Sequence, residues 1–203
     1  MPPFTVLHVC MGNICRSPMA ERLLALAVRE RLGRRGQDPA GADELLHSHS
    51  AGTGGWHAGE EMNPPAARQV TARGGDVEGF AARKLRSEHI DAADLVLTAT
   101  ADQHEYVVAL RPDAAARTFV LGEFGRLLAA VDTAGLPPSG VTPQEVYDRG
   151  VALVAAAHAA RHGTSTLPTD DLDDPWGRGD QCFGRVADEI EETVHPLATA
   201  LLP

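Results

Sequence analysis

The amino-acid sequence predicts an α/β fold: a four-stranded, parallel, doubly wound sheet flanked by helices, with a tight loop between the first strand and the first helix. Three observations lead there. Short runs rich in β-branched and aromatic residues, among them Phe4 to Val9, Asp94 to Thr100 and Thr118 to Leu121, alternate with longer segments whose apolar residues recur at helical spacing. Strands that alternate with helices pair in parallel and are covered on both faces. Such sheets present their functional groups at the strands' carboxyl ends, and an unusual stretch, Cys10 to Pro18, starts where the first strand stops.

Taken in order, Phe4 to Val9 (FTVLHV) is the first strand. The helix after it carries Met19, Leu23, Leu24, Leu26 and Ala27 at helical spacing and runs to Leu32, with Ser17 expected as its cap and Pro18 as its first residue. A polar turn, Gly33 to Ala42, leads to a second strand over Asp43 to Ser50, built on Leu45 and Leu46. Asn63-Pro64-Pro65 opens a helix that Gly74-Gly75 stops. Asp94 to Thr100 is the third strand, Gln103 to Leu110 a helix, and Thr118 to Leu121 the fourth strand. Glu123 to Val131 reads as helical, and Thr142-Pro143 with Glu145 starts another helix that reaches Ala160 and shows Val146, Gly150, Leu153, Val154 and Ala157 on one face. Together they make an added helical hairpin over about residues 123–165, expected to pack on the sheet edge, with guiding a partner to the cleft as the alternative. The last helix, Asp180 to Leu202, lines up Val186, Ile190, Val194, Leu197 and Leu201 and closes the sheet.

A chain of 203 residues that is 43% hydrophobic can bury one substantial core, so a single domain over 1–203 is expected. Three cysteines make no disulfide framework. Met1-Pro2-Pro3 lacks the basic start of a signal peptide, and His158 interrupts the longest apolar run, Val151 to Ala160; a cytoplasmic protein with no membrane association is expected. The net charge of −10 argues against nucleic acid and against a basic, membrane-binding surface. Any anion site must be a local positive spot on an acidic body.

Cys10-Met11-Gly12-Asn13-Ile14-Cys15-Arg16-Ser17-Pro18 supplies that spot. The amides from Met11 to Arg16 and a helix N-terminus converge where a phosphate dianion fits. Gly12 is expected to let the backbone turn tightly, while Asn13 tolerates a left-handed conformation and bonds across the loop. Cys10 stands in the field of those amides and of Arg16, which favours thiolate over thiol. The planar fork of Arg16 can grip two phosphate oxygens, and the Ser17 hydroxyl can donate to the Cys10 sulfur. Cys15 is close enough in sequence to capture an oxidised Cys10 as a disulfide. A zinc site made from Cys10, Cys15, His47 and His49 is the competing use of these residues, disfavoured because it sets cation beside cation at Arg16. No metal or other cofactor is expected.

The stretch from Val9 to Pro18, between a strand and a helix, resembles the signature of the low-molecular-weight protein tyrosine phosphatases position by position. The resemblance implies that Cys10 is a nucleophile, that the partner is a tyrosine-phosphorylated protein, and that inorganic phosphate is the product. Ser50-Ala51-Gly52-Thr53 is similar to the family's segment leaving the second strand; Ser50 is then a support for Asn13 or Ser17, and Trp56 a wall of the cleft. Ala82-Arg83-Lys84-Leu85 resembles the family's edge segment.

A tyrosine leaving as phenolate, whose conjugate acid has a pKa of roughly 10, needs a proton from a carboxylic acid above it. Among Asp170, Asp171, Asp173 and Asp174 the last is favoured, because Pro175 stiffens the chain after it and Trp176 follows; Asp-Pro-aromatic also resembles the family's general-acid loop. Three departures from the family pattern bear on efficiency and substrate: Phe80 where relatives have histidine, Ala99-Thr100 where they have Met-Asp, and no Asp-x-Arg near Asn63 to Pro65. Gly177 also stands where many relatives have a second aromatic. Competing functions on the same scaffold are an arsenate reductase, which needs two further cysteines that residues 60–120 lack, and an arginine phosphatase, which tends to have threonine in place of Ile14. A phosphoprotein-binding module without turnover is the non-enzymatic alternative.

Overall fold

The computed structural model describes residues 1–203. Four parallel strands, β1 (Phe4–Cys10), β2 (Leu46–Gly52), β3 (Leu95–Thr98) and β4 (Thr118–Val120), form one sheet in the order β2-β1-β3-β4. The order reverses beside β1, so the carboxyl end of β1 lies in the crevice where doubly wound sheets place their ligands. Cys10 is the last residue of β1 and pairs with Gly52, the last of β2.

Side chains alternate along β1 and so divide the core between two layers. Phe4 and Val6 pack into the larger one with Leu23 and Leu24 of α1 (Arg16–Arg34), Val70 of α3 (Pro64–Ala72) and Phe183 and Ile190 of α8 (Asp180–Leu201). Leu7 and Val9 face the smaller one, with Ile90 of α4 (Ser87–Asp91) and Val107 of α5 (Ala101–Leu110). His8 belongs to the first face. Its ring is buried, Nε2 lies 3.2 Å from Ser48 Oγ, and Nδ1 has no partner. Burial, reinforced by His49, pushes His8 down to about 3, so it is a neutral core residue.

The second strand starts later than the sequence suggests, because Ala42–Leu45 closes one helical turn, α2, before the chain extends. After β4 come α6 (Leu121–Leu128) and α7 (Pro143–Ala160), the latter opened by Thr142, whose hydroxyl takes the Glu145 amide at 3.3 Å. α7 does not lie along a sheet edge as expected. It crosses the amino-terminal end of the central strand β1, where Gly150 admits Phe4: a Cβ at Gly150 would stand 2.5 Å from that ring. Arg149 secures the crossing by donating to the carbonyls of Ala200 (2.6 Å), Pro137 (2.6 Å) and Thr133 (3.2 Å). α7 therefore sits at the pole opposite Cys10. No helix is long and apolar enough to cross a membrane.

Candidate active site

The turn out of β1 is sharp because Asn13 takes φ 55°, the one non-glycine residue with positive φ. Asparagine bears this conformation better than most residues, and here its side chain repays it with three bonds. Nδ2 donates to Ser17 Oγ (2.8 Å) and Ser50 Oγ (2.9 Å), and Oδ1 accepts from Arg83 N (2.9 Å). Ser50 in turn donates to Glu21 Oε2 at 2.6 Å. With both amide hydrogens of Asn13 committed, the Ser17 hydroxyl is left to point its own hydrogen at Cys10 Sγ, 3.0 Å away; Asn13 N lies 3.3 Å from the same sulfur.

One expectation for the loop is corrected. Ser17 is not the helix cap: α1 already begins at Arg16, Cys15 stands at the cap position without a side-chain bond, and Ser17 and Pro18 occupy the first turn. The serine is drawn inward by Cys10 and Asn13, and Pro18 remains among the positions whose N–H has no helical partner. The left-handed residue of the turn is Asn13, as expected, and Gly12 is not in that region. Gly12 also makes room, since a Cβ there would lie 3.2 Å from His57 Cδ2.

Cys10, Met11, Gly12, Ile14, Cys15 and Arg16 line one side of a cavity of about 200 Å³, whose other walls are Trp56, His57, Asp174 and Trp176. Arg16 is 5% exposed; its Nη1 donates to Leu172 O (3.2 Å) and Nη2 lies 3.6 Å from Asp174 Oδ2. Asp174 is half exposed, and its Oδ1 accepts from Trp176 N at 3.2 Å, an Asx turn that Pro175 makes compact. Trp56 and Trp176 are 72% and 63% exposed, large apolar surfaces at the cavity mouth with nothing packed over them. The structure thus brings together every residue singled out from the loop, the carboxylate and the two tryptophans, and it sets Ser50 beneath Asn13. Burial, then the proximity of Cys10 and Asp174, pushes the Cys15 thiol up to about 12.

Sequence reasoning missed four contributors. His57 follows Trp56 into the cavity wall and is held by Glu60 Oε2 at 2.8 Å from Nδ1. Glu21 lies one helical turn after Ser17, and its position on the β2 side of α1 was the available signal; burial pushes its carboxyl upward against the pull of Ser50 and Arg22. Arg83 supports the loop from below, Nε to Ser50 O at 2.8 Å. Gly52 lets β2 approach the loop, since a Cβ there would stand 2.7 Å from Met11 O.

The histidines of β2 take another part than metal binding. His47 and His49 stack at 5.0 Å between ring centroids, as an alternate pair on one strand face should, but His49 Nδ1 is occupied by Arg83 Nη2 at 2.6 Å. Burial and then Arg83 push His49 down to about 3. No group of three or more His, Cys, Asp or Glu side chains is placed to hold a metal ion. Phe80 fills its place in the core with the Arg22 guanidinium 5.8 Å over its ring, and Thr100 caps α5 through Gln103 Oε1 at 2.7 Å.

Comparison with known proteins gives this geometry a context. The chain is 40% identical over 95 residues to the low molecular weight protein-tyrosine phosphatase A of Mycobacterium tuberculosis, 47% of this chain and 52% of that protein. It is 34% identical over 119 residues to the low molecular weight protein-tyrosine-phosphatase Ptp of Acinetobacter johnsonii, 59% of this chain and 72% of that one. The chain spans about half the length of the first curated relatives it matches. Among solved structures, the YwlE arginine phosphatase from Geobacillus stearothermophilus superposes with a TM-score of 0.62 at 25% identity, covering 97% of this chain and 92% of that one. The model of the family described as low molecular weight phosphotyrosine protein phosphatase matches residues 5–134, from β1 through α6, and this chain belongs to that family.

Proposed function

We propose that the chain is a cysteine-dependent phosphatase that hydrolyses phosphotyrosine in proteins through a phosphocysteine intermediate. The observation that carries the reading is the Cys10 sulfur, 3.0 Å from Ser17 Oγ and 3.3 Å from Asn13 N, in a cavity that also holds Arg16 and, 3.6 Å from Arg16, the Asp174 carboxylate. The Cys10 thiolate attacks phosphorus in line, forming the S–P bond as the P–O bond to tyrosine breaks. Amides of the Met11 to Arg16 loop and the Arg16 guanidinium take the equatorial oxygens, and Asp174 gives its proton to the departing phenolate. Water, deprotonated by Asp174, then attacks phosphorus; the S–P bond breaks, and inorganic phosphate leaves. Ser17 steadies the leaving sulfur, Ser50 keeps Asn13 in place, and Trp56 with Trp176 sandwiches the substrate ring.

The likeness to an arginine phosphatase supports a second substrate, phosphoarginine. Ile14 gives the cavity an apolar wall that suits an aromatic ring better than a guanidinium, so phosphotyrosine is the first choice. The test is phosphate release from a phosphotyrosine peptide and from phosphoarginine, with EDTA present, by wild type, Cys10→Ser and Asp174→Asn. Release from phosphotyrosine that survives EDTA, is abolished in the first variant and falls about 10²-fold or more in the second supports the reading. A folded, reduced protein that binds phosphotyrosine and releases nothing is a binding module.

A further inference from the structure

We propose that the ion pair Arg126–Asp170 is the positioning element for the acid Asp174, and that α6 and α7 serve the reaction by holding it. This rests on the phosphatase reading above. Asp170 lies four residues before Asp174 and is 3% exposed. Arg126, on α6, meets it with a fork: Nε donates to Oδ1 at 3.0 Å and Nη2 to Oδ2 at 2.7 Å, while Leu167 N donates to Oδ2 at 2.7 Å. Burial alone would raise this carboxyl, yet Arg126 and the Leu167 amide hold it below its ordinary range. The backbone of Asp170 is seated on the first turn of α6, because Gly122 has no side chain to keep it off; a Cβ there would stand 2.5 Å from Asp170 O.

From that anchor the chain is fixed residue by residue to the site. Asp171 Oδ1 accepts from Ala101 N (2.9 Å), Leu172 N donates to Ala99 O (2.9 Å), and Leu172 O accepts from Arg16 Nη1 (3.2 Å). Asp173 is tied to α8 through Arg185 at 2.7 Å. α6 is braced from behind by Arg161, just past the end of α7, which donates to the buried Glu123 Oε1 at 2.8 Å and to Thr118 O at 2.7 Å and lies 4.1 Å over the Phe119 ring. Helix α7, at the far pole, is thereby connected through Arg161, α6 and Arg126 to the loop that carries the acid. Moving the buried Asp170 off Arg126 would leave an uncompensated charge, so the pair sets where the loop starts.

The test separates positioning from simple support by leaving group. Phenyl phosphate needs a proton on its phenolate; 2,4-dinitrophenyl phosphate does not, because its nitro groups spread the charge. In Arg126→Met/Asp170→Asn, which leaves no unpaired buried charge, kcat/KM for phenyl phosphate should fall about 10²-fold while that for the dinitrophenyl ester falls by about threefold or less. The ratio of the two is independent of the folded fraction. Arg126→Lys should restore most of the ratio, and Asp174→Asn should show the same split. An unchanged ratio in the double variant, with the split present in Asp174→Asn, overturns the positioning role. No split in Asp174→Asn means that Asp174 is not the acid; the assignment of Asp174 then fails, and the positioning role with it.

Discussion

Adding one methyl group at Gly52 tests whether the loop geometry is set by its floor. Gly52 is held on both sides: it pairs with Cys10 in the sheet, its N donates to Arg83 O at 2.9 Å, and its O accepts from Leu85 N at 2.7 Å. Its backbone is not in the left-handed region, so Gly52→Ala acts through space alone. The new Cβ would lie 2.7 Å from Met11 O, 3.0 Å from Asn13 N and 3.1 Å from Asn13 Cβ, none of them the end of a flexible side chain. Restoring an ordinary contact of 3.4 Å moves the loop by about 0.7 Å. Overpacking of this kind costs about 1–3 kcal/mol, which lowers Tm by about 2–12 °C in a chain of this length. If a misplacement of about 1 Å costs about 10²-fold, kcat should fall on the order of 30-fold. Steady-state hydrolysis of p-nitrophenyl phosphate and a thermal melt measure both. A variant with wild-type kcat and wild-type Tm would show slack in the loop, and the argument that its amides are held in place by close packing on β2 would be wrong.

Further outcomes are expected elsewhere. Cys10→Ser should melt like wild type and release no phosphate. Asn13→Ala loses three buried bonds and sits at φ 55°, a combined cost of about 3–5 kcal/mol by urea denaturation; Asn13→Gly should recover only the backbone part. The His8 ring stands at about 3 when folded against 6.5 otherwise, so the unfolded chain binds the extra proton between those values. Stability from this group is complete above the upper value and is lost as pH falls toward the lower, at about 1.4 kcal/mol per pH unit. His8→Phe should remove that slope from urea midpoints taken between about pH 6 and pH 4. Peroxide-treated enzyme should yield a Cys10–Cys15 linked peptide that thiol reduces, forming faster as pH rises because Cys15 at about 12 must first lose its proton; no such peptide by mass spectrometry removes the protective role of Cys15.

What was legible in the sequence followed from periodicity and from one dense motif. β1, β3, β4 and α8 announce themselves by apolar spacing, and Cys10 to Pro18 packs its chemistry into nine consecutive residues. What was not legible depends on contacts between distant segments. Glu21 looks like any helical acid until β2 puts Ser50 on it, and Arg83 gains its meaning only when Asn13, 70 residues earlier, accepts from its amide. The start of β2 is hidden because Ala42–Leu45 has residues that suit either state, and the docking of α7 on Phe4 depends on Gly150, which in the sequence is only a small member of an apolar stripe. Gly52, the glycine of the floor, stands in a motif whose residues do not show the Met11 carbonyl it has to admit.

Arg16 joins the two halves of the site, and replacing it with lysine separates charge from geometry. The residue belongs to the loop that holds the thiol, yet one of its nitrogens bonds Leu172 O at 3.2 Å and the other lies 3.6 Å from Asp174 Oδ2. At the end of the third strand Thr100 Oγ1 donates to Gln103 Oε1 and Ala99 O takes Leu172 N, so the segment leading to Asp174 is what orients Arg16. A guanidinium can keep the Leu172 bond with one nitrogen and give others to phosphate, whereas an ammonium is a single point of charge. Arg16→Lys should therefore keep substrate attraction, with KM raised less than about tenfold, and lose about 10²–10³ in kcat, the effect of removing one donor from a transition-state cradle. A lysine variant within about threefold of wild-type kcat would mean that charge alone suffices and that the contact with Leu172 has no part in catalysis.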